Sequence, residues 1–176
     1  MTADQAFSLI NNHRLTTIQR PTHWADLGCG SGLFTLALSR LLQPGSSIHG
    51  IDIHPSLKRQ TTTNGVELLS LKLDFVTNDW GLRDLDGILM ANSLHYVKDK
   101  TTFLKKISPY LLPAVSFLIV EYDTDTPVPT WVPYPLSFSS LTALFTQAGY
   151  RSIQKIGQRP SAYGRANMYA ALIQSR

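Results

Sequence analysis

The chain has 176 residues, of which 43% are hydrophobic and 16% charged, and its net charge is +4. A chain of that length forms one domain and buries roughly 70% of its unfolded surface, so it needs no staples. The composition excludes a disordered, collagen-like or coiled-coil chain, and no run approaches the roughly 20 apolar residues of a membrane span.

One cysteine, Cys29, excludes an internal disulfide framework and a cysteine-built zinc site. Met1 to Asn12 contains Asp4 and has no basic segment ahead of an apolar core. A secretory signal is therefore not expected, and the expected compartment is the cytoplasm. Residues 151–176 carry Arg151, Lys155, Arg159, Arg165 and Arg176 and no acid, while the first 150 residues hold 11 basic and 12 acidic residues. The excess reads either as a site for an anionic partner or as a solvated hairpin. Five charges spread over 26 residues fit the solvated hairpin better.

Residues 1–21 are expected to form a helical segment, a candidate substrate cover. Trp24 to Leu27 reads as a first strand that runs into a glycine cluster. Ser31 to Leu42 carries a helical stripe of Leu33, Phe34, Leu36, Ala37, Leu38, Leu41 and Leu42, closed by Pro44-Gly45. Ile48 to Ile53 is a second strand. Pro55 to Thr63 reads as a weak helix, because three consecutive threonines suit helices poorly. Val66 to Leu73 and Asp86 to Ala91 are further strands, and Lys100 to Leu111 is an amphipathic helix. Ala114 to Val120 is a strand ending at Glu121, where Glu121 and Asp123 are expected as solvated strand-end acids rather than as ligands of a metal or an amine acceptor.

A loop, Tyr122 to Ser137, follows with Pro127, Pro129, Pro133 and Pro135. Leu141 to Ala148 is a helix stopped by Gly149. Tyr150 to Ile156 and Asn167 to Ile173 are closing strands with no helix between them, so they must pair as a hairpin. The expected fold is α/β: a doubly wound, mostly parallel seven-stranded sheet of Rossmann type with a C-terminal antiparallel hairpin, in one domain spanning 1–176.

The chemistry concentrates in Asp26-Leu27-Gly28-Cys29-Gly30-Ser31-Gly32, between a strand and a helix, where doubly wound sheets bind nucleotides. The spacing is D-x-G-x-G-x-G. A dinucleotide fingerprint would need glycine at 33, where Leu33 stands. Asp26 would repel a pyrophosphate but suits a ligand with a cationic amine. Cys29 is read as a small packing residue rather than a nucleophile. His13, His23, His49 and His54 have no metal-ligand spacing, so no metal is expected, and no serine lies in a nucleophile-elbow context.

This stretch resembles the class I S-adenosylmethionine-dependent methyltransferases, which carry such a turn after their first strand. Asp52 ends the second strand 24 residues after Gly28, Leu73-Asp74-Phe75 follows the third, and Asn92-Ser93-Leu94-His95-Tyr96 closes the fourth. The resemblance covers roughly residues 22 to 175 and implies S-adenosylmethionine as cofactor. It implies a cofactor site across Asp26, Gly28, Cys29, Gly30, Gly32, Asp52, Ile53, Asp74, Phe75 and Asn92.

The sulfonium is already an activated methyl donor, so the protein must chiefly hold an acceptor in line with it. A base is needed only where the acceptor must lose a proton, and His95 and Tyr96 are the catalytic candidates. His95, Tyr122, Trp131, Tyr134, Tyr163 and Arg165 are the substrate-binding candidates, since large aromatics in a proline-stiffened loop suit a flat or apolar acceptor. The expectation is methyl transfer to a small-molecule acceptor by a monomer or homodimer, without a membrane or nucleic-acid partner. The rivals are a nucleic-acid or protein methyltransferase and a non-catalytic S-adenosylmethionine-binding partner subunit. The first is disfavoured by Asn92-Ser93-Leu94-His95 standing where an Asn-Pro-Pro-aromatic signature would be.

Overall fold

The computed structural model describes residues 1–160 and 166–175. In chain order the strands are β1 (His23–Leu27), β2 (Ser47–Asp52), β3 (Gln60–Thr61), β4 (Glu67–Lys72), β5 (Leu85–Ala91), β6 (Leu111–Tyr122), β7 (Ser152–Arg159) and β8 (Met168–Gln174). The helices are α1 (Ala3–Ile10), α2 (His13–Thr16), α3 (Leu33–Ser39), α4 (Lys100–Ile107) and α5 (Phe138–Gln147).

All eight strands form one sheet in the order β3-β4-β2-β1-β5-β6-β8-β7. The chain therefore starts in the middle of the sheet, moves to one edge through β2 and β4, and returns to β5 and beyond. Where the order reverses, between β1 and β5, the C-terminal strand ends open a crevice. The β4-β2-β1-β5-β6 core is parallel, and the β7–β8 hairpin brings β8 antiparallel onto β6.

Each face of the sheet buries its own apolar layer. On one side Ala6, Leu9 and Ile10 of α1 and Ala37 and Leu38 of α3 pack over Trp24, Ile48, Leu89 and Leu118. On the other Phe103, Leu104 and Ile107 of α4 and Leu141 and Phe145 of α5 pack over Ile88, Phe117, Ile119 and Tyr169. Strands flanked on both faces need near-continuous apolar runs, and β5 and β6 supply them. Local signals start the helices: Thr2 and Gln5 form a capping box on α1, and Asp99 and Ser137 cap α4 and α5. The N-terminal segment lies on the sheet face, with α1 against α3 and β7.

The sheet has eight strands where seven were expected, and the helix expected over Pro55–Thr63 does not form. Most of that stretch is irregular, and it ends in the two-residue β3, antiparallel to the edge of β4. Thr61 takes the extended backbone that a β-branched residue favours and joins the edge strand, and Thr62 and Thr63 follow it in the turn back to β4. The packing a helix would supply comes from one residue: Leu57, 6% exposed, reaches under the glycine turn. No helix links β4 to β5 either; that loop is held by Trp80, stacked on Tyr110 at 4.6 Å and donating to the Phe75 carbonyl at 3.0 Å.

Candidate active site

The glycine turn closes on itself and on β2. The Gly28 and Cys29 N–H groups donate to the Ile51 carbonyl at 2.8 and 3.2 Å, and Ser56 N–H donates to the Gly30 carbonyl at 2.9 Å. Gly28, Gly30 and Gly32 have φ of 80°, 50° and 83°, the left-handed region that side chains disfavour. Their surroundings differ. A Cβ on Gly28 would stand 2.5 Å from Ser93 Cβ, and one on Gly32 would stand 2.5 Å from Leu57 Cδ1. A Cβ on Gly30 would meet nothing within 4 Å. Gly28 and Gly32 thus serve the fold, and Gly30 alone of the three faces open space.

Asp52 pins this turn from the end of β2. One carboxylate oxygen accepts from Gly30 N–H at 3.0 Å and the other from His54 N–H at 2.8 Å. Each oxygen has a second lone pair to offer, and Asp52 is half-buried beside exposed Ile53. At the end of β4, Asp74 accepts Val76 N–H at 2.8 Å, and half-buried Phe75 approaches Gly28, its Cε1 lying 3.6 Å from where a Cβ would be. The ends of β1 and β5 are joined directly, Ser93 Oγ donating to the Leu27 carbonyl at 2.5 Å.

Among the described residues, two buried oxygens in this crevice have no partner: Asp26 Oδ1 and Asn92 Oδ1. Asp26 is 1% exposed, and its other oxygen accepts the Thr35 hydroxyl at 2.5 Å. Burial pushes its carboxyl up to about 7, against the Thr35 hydrogen bond and with a small further push from Asp52. Asn92 holds φ 55°, a strained backbone outside glycine, immediately after β5. Buried polar atoms without partners call for an explanation, and a ligand seated in the crevice supplies one for these two. The open space at Gly30, the spare acceptors of Asp52 and the orphaned oxygens together fit an amine-bearing, ribose-bearing nucleoside. Cys29 is buried, and burial pushes its thiol up to about 12, so it is no nucleophile. Its Sγ lies 2.9 Å from where a Gly50 Cβ would be, a packing role.

Past Asn92 the chain makes a short 3-10 turn, Leu94–Tyr96. His95 on it is buried, and its ring Nδ1 lies 2.7 Å from Glu121 Oε2 on β6. The expectation that Glu121 is solvated is wrong: it is 1% exposed, because β6 runs on to Tyr122 and keeps position 121 inside the sheet. Asp123 is half-buried, paired with Lys155 at 2.8 Å and accepting Phe138 N–H at 2.8 Å. Tyr96 is 53% exposed, with its ring centroid 4.4 Å from that of His95.

The proline loop is tied to this turn. Tyr134 N–H donates to the His95 carbonyl at 3.0 Å, and Lys100 Nζ donates to the carbonyls of Val97 and Tyr134 at 2.9 and 2.8 Å. Tyr134 is therefore brought beside His95, and Trp131, 65% exposed, projects from the same loop. Tyr122, half-buried, ends β6. Tyr163 and Arg165 lie outside the described residues. Sequence reasoning missed Leu57, which packs beneath the turn, and Thr35 and Ser93, whose hydroxyls donate to Asp26 and to the Leu27 carbonyl. It also misread Glu121, whose signal was an acid flush against a long apolar run. Among the described residues no cluster of three or more metal-ligating side chains occurs, and no helix is long and apolar enough to cross a membrane.

A family model described as a methyltransferase domain matches residues 25–114, just over half of the chain. No curated protein matches it. Among solved structures, the plantazolicin methyltransferase BpumL in complex with S-adenosylhomocysteine superposes with a TM-score of 0.63 at 17% identity, over 97% of this chain and 82% of its own. The Burkholderia thailandensis 1,6-didemethyltoxoflavin-N1-methyltransferase, with 1,6-didemethyltoxoflavin and S-adenosylhomocysteine bound, gives 0.68 at 18%, over 98% and 77%. An Aquifex aeolicus SAM-dependent methyltransferase gives 0.60 at 17%, over 100% of both chains. The glycine turn, the strand order and these matches converge: the chain belongs to the methyltransferase-domain family and has the class I, S-adenosylmethionine-dependent fold.

Proposed function

We propose that the protein transfers a methyl group from S-adenosylmethionine to a small-molecule acceptor. The observation that carries this reading is the open space at Gly30, flanked by the spare acceptors of Asp52 and the unpartnered oxygens of Asp26 and Asn92. In it, Asp52 accepts from the ribose hydroxyls, and Ile53, Asp74 and Phe75 border the base. Asp26, Gly28, Cys29, Gly30 and Gly32 form the turn under the amino-acid end, and Asn92 meets it from β5. When bound, the cofactor supplies a methyl group already activated by its sulfonium.

The chain's own contribution is placement. The acceptor wall is formed by Tyr96, Tyr122, Trp131 and Tyr134, with Tyr163 and Arg165 as further candidates and His95 at its base. Hydrogen bonds from Tyr134 and Lys100 hold that wall in register with the end of β5, so the acceptor is oriented rather than merely bound. Small-molecule acceptors are supported by the exposed aromatic side chains and by the toxoflavin-type ligand of one structural neighbour. A cytoplasmic monomer or homodimer completes the reading.

Titration calorimetry tests it, using S-adenosylmethionine, S-adenosylhomocysteine and, as control, NAD. Micromolar binding of the first two only, lost in Asp52→Ala, is expected. A folded protein that binds neither overturns the proposal.

A further inference from the structure

The contact between His95 and Glu121 is more specific than an ion pair. Among the described residues the Glu121 carboxylate has two hydrogen-bonding contacts, and both are with His95. Its Oε1 accepts the His95 backbone N–H at 3.1 Å, and its Oε2 faces ring Nδ1 at 2.7 Å. Both side chains are almost wholly buried, 3% and 1% exposed. The other titratable groups nearby are otherwise engaged. Lys100 gives its ammonium protons to the Val97 and Tyr134 carbonyls. Tyr169 on β8 donates its hydroxyl to the Leu136 carbonyl. Tyr96 lies against the His95 ring, and Tyr134 is held through its backbone.

A carboxylate has only acceptors to offer, so a neutral His95 facing Oε2 must carry its proton on Nδ1 and leave Nε2 bare. The backbone N–H cannot change sides, because it is always a donor. We propose that Glu121 is a positioning residue that locks His95 in this tautomer, so that bare Nε2 is the base for an acceptor bearing an O–H or N–H group. The inference rests on the methyltransferase reading and narrows its acceptor to protic oxygen or nitrogen. The acceptor heteroatom gives its lone pair to the methyl carbon, the carbon–sulfur pair stays on sulfur, and the heteroatom's proton passes to Nε2. From there it leaves to water, and Glu121 remains a carboxylate throughout.

The geometry makes Glu121→Gln a sharp probe. An amide facing the same two groups must turn its oxygen to the backbone N–H, where a donor would clash, and its NH2 to Nδ1. Nδ1 then becomes an acceptor, and the proton moves to Nε2. Ring 15N NMR of histidine-labelled protein, above the histidine titration and without any acceptor, reads this directly. His95 is assigned from the resonance missing in His95→Gln.

Nδ1–H in the wild type, exchanged for Nε2–H in Glu121→Gln, is the expected result. Nε2–H in the wild type overturns the proposal, and so does an unchanged pattern in the variant. The wild-type spectrum alone decides the first point if the variant does not fold. S-adenosylhomocysteine calorimetry on the same samples separates the two readings. Failure of the wild type to bind it sinks the methyltransferase proposal whatever the tautomer. Equal binding by wild type and Glu121→Gln, with the tautomer exchanged, shows that Glu121 sets the His95 tautomer independently of cofactor binding.

Discussion

Asp26→Asn should stabilise the protein, by an amount that depends on pH. The wild-type carboxyl is fully buried, with Oδ1 unpaired, and burial raises it from 3.8 to about 7. A group raised in the folded state contributes stability that is present below its unfolded value and is lost as pH rises through its folded value. Asp26 therefore costs little at pH 4, and its cost grows across the window from about 4 to 7. It levels off above that, where the shift from 3.8 to about 7 corresponds to about 4 kcal/mol. Asparagine keeps the shape and an acceptor for the Thr35 hydroxyl and has no charge to bury. Urea unfolding of wild type and Asp26→Asn from pH 4.5 to 8.5 tests this. The variant's advantage should grow by about 3 kcal/mol between those ends, and at pH 8 it should be worth roughly 10 °C in Tm for a domain of this size. A difference that does not change with pH would refute the reasoning. The same variant should bind S-adenosylmethionine at least tenfold more weakly, because the carboxylate that burdens the fold is the one suited to a cationic amine.

The other predictions use the same site. If binding draws Asp26 into its ionised form, S-adenosylmethionine binding at pH 6 should release most of one proton, and at pH 8.5 almost none; calorimetry in buffers of different ionisation enthalpy measures this. Gly30→Ala should cost only about 1 kcal/mol, from its positive φ, yet reduce cofactor affinity at least tenfold. Gly28→Ala meets Ser93 and should lose 2 kcal/mol or more of stability, roughly the cost of an overpacked site, so the two alanines separate a ligand-facing glycine from a packing one. Leu57→Ala should cost about 2–4 kcal/mol in urea unfolding and weaken cofactor binding without touching the ligand, because it empties the space beneath Gly32 and Gly50.

What the sequence made legible was whatever short-range pattern controls. The glycine turn, the apolar runs of β5 and β6 and the capped helices α4 and α5 each carry a local signature, and each lies where that signature put it, to within a few residues. Asp52 was singled out by the resemblance, which expects an acid at the end of the second strand, and β2 does end there. The unread parts depend on partners far along the chain. Leu57 gives no sign that it stands in for a helix, since only the approach of Gly32 and Gly50 assigns it that place. Glu121 looked solvated because an acid after an apolar run usually leaves the sheet; here β6 continues, and His95, 26 positions earlier, meets it. The Pro55–Thr63 helix was mistaken because an open edge of β4, which no local pattern announces, was there to pair Gln60 and Thr61.

The missing helices on either side of β4 make the two halves of the crevice mechanically unequal. Glu121 stands on a strand covered on both faces, with the His95 turn hydrogen-bonded to it and the Tyr134 loop to that turn, whereas Asp74, Phe75 and the segment after Asp52 belong to loops hung on an edge. Amide hydrogen exchange should follow this division, with β5, β6 and β8 opening only on global unfolding and β3, β4 and the 73–84 loop opening at a fraction of that free energy. Part of the cofactor's binding free energy must then go into ordering its own base-side wall, and slowed exchange on ligation should be confined to that half.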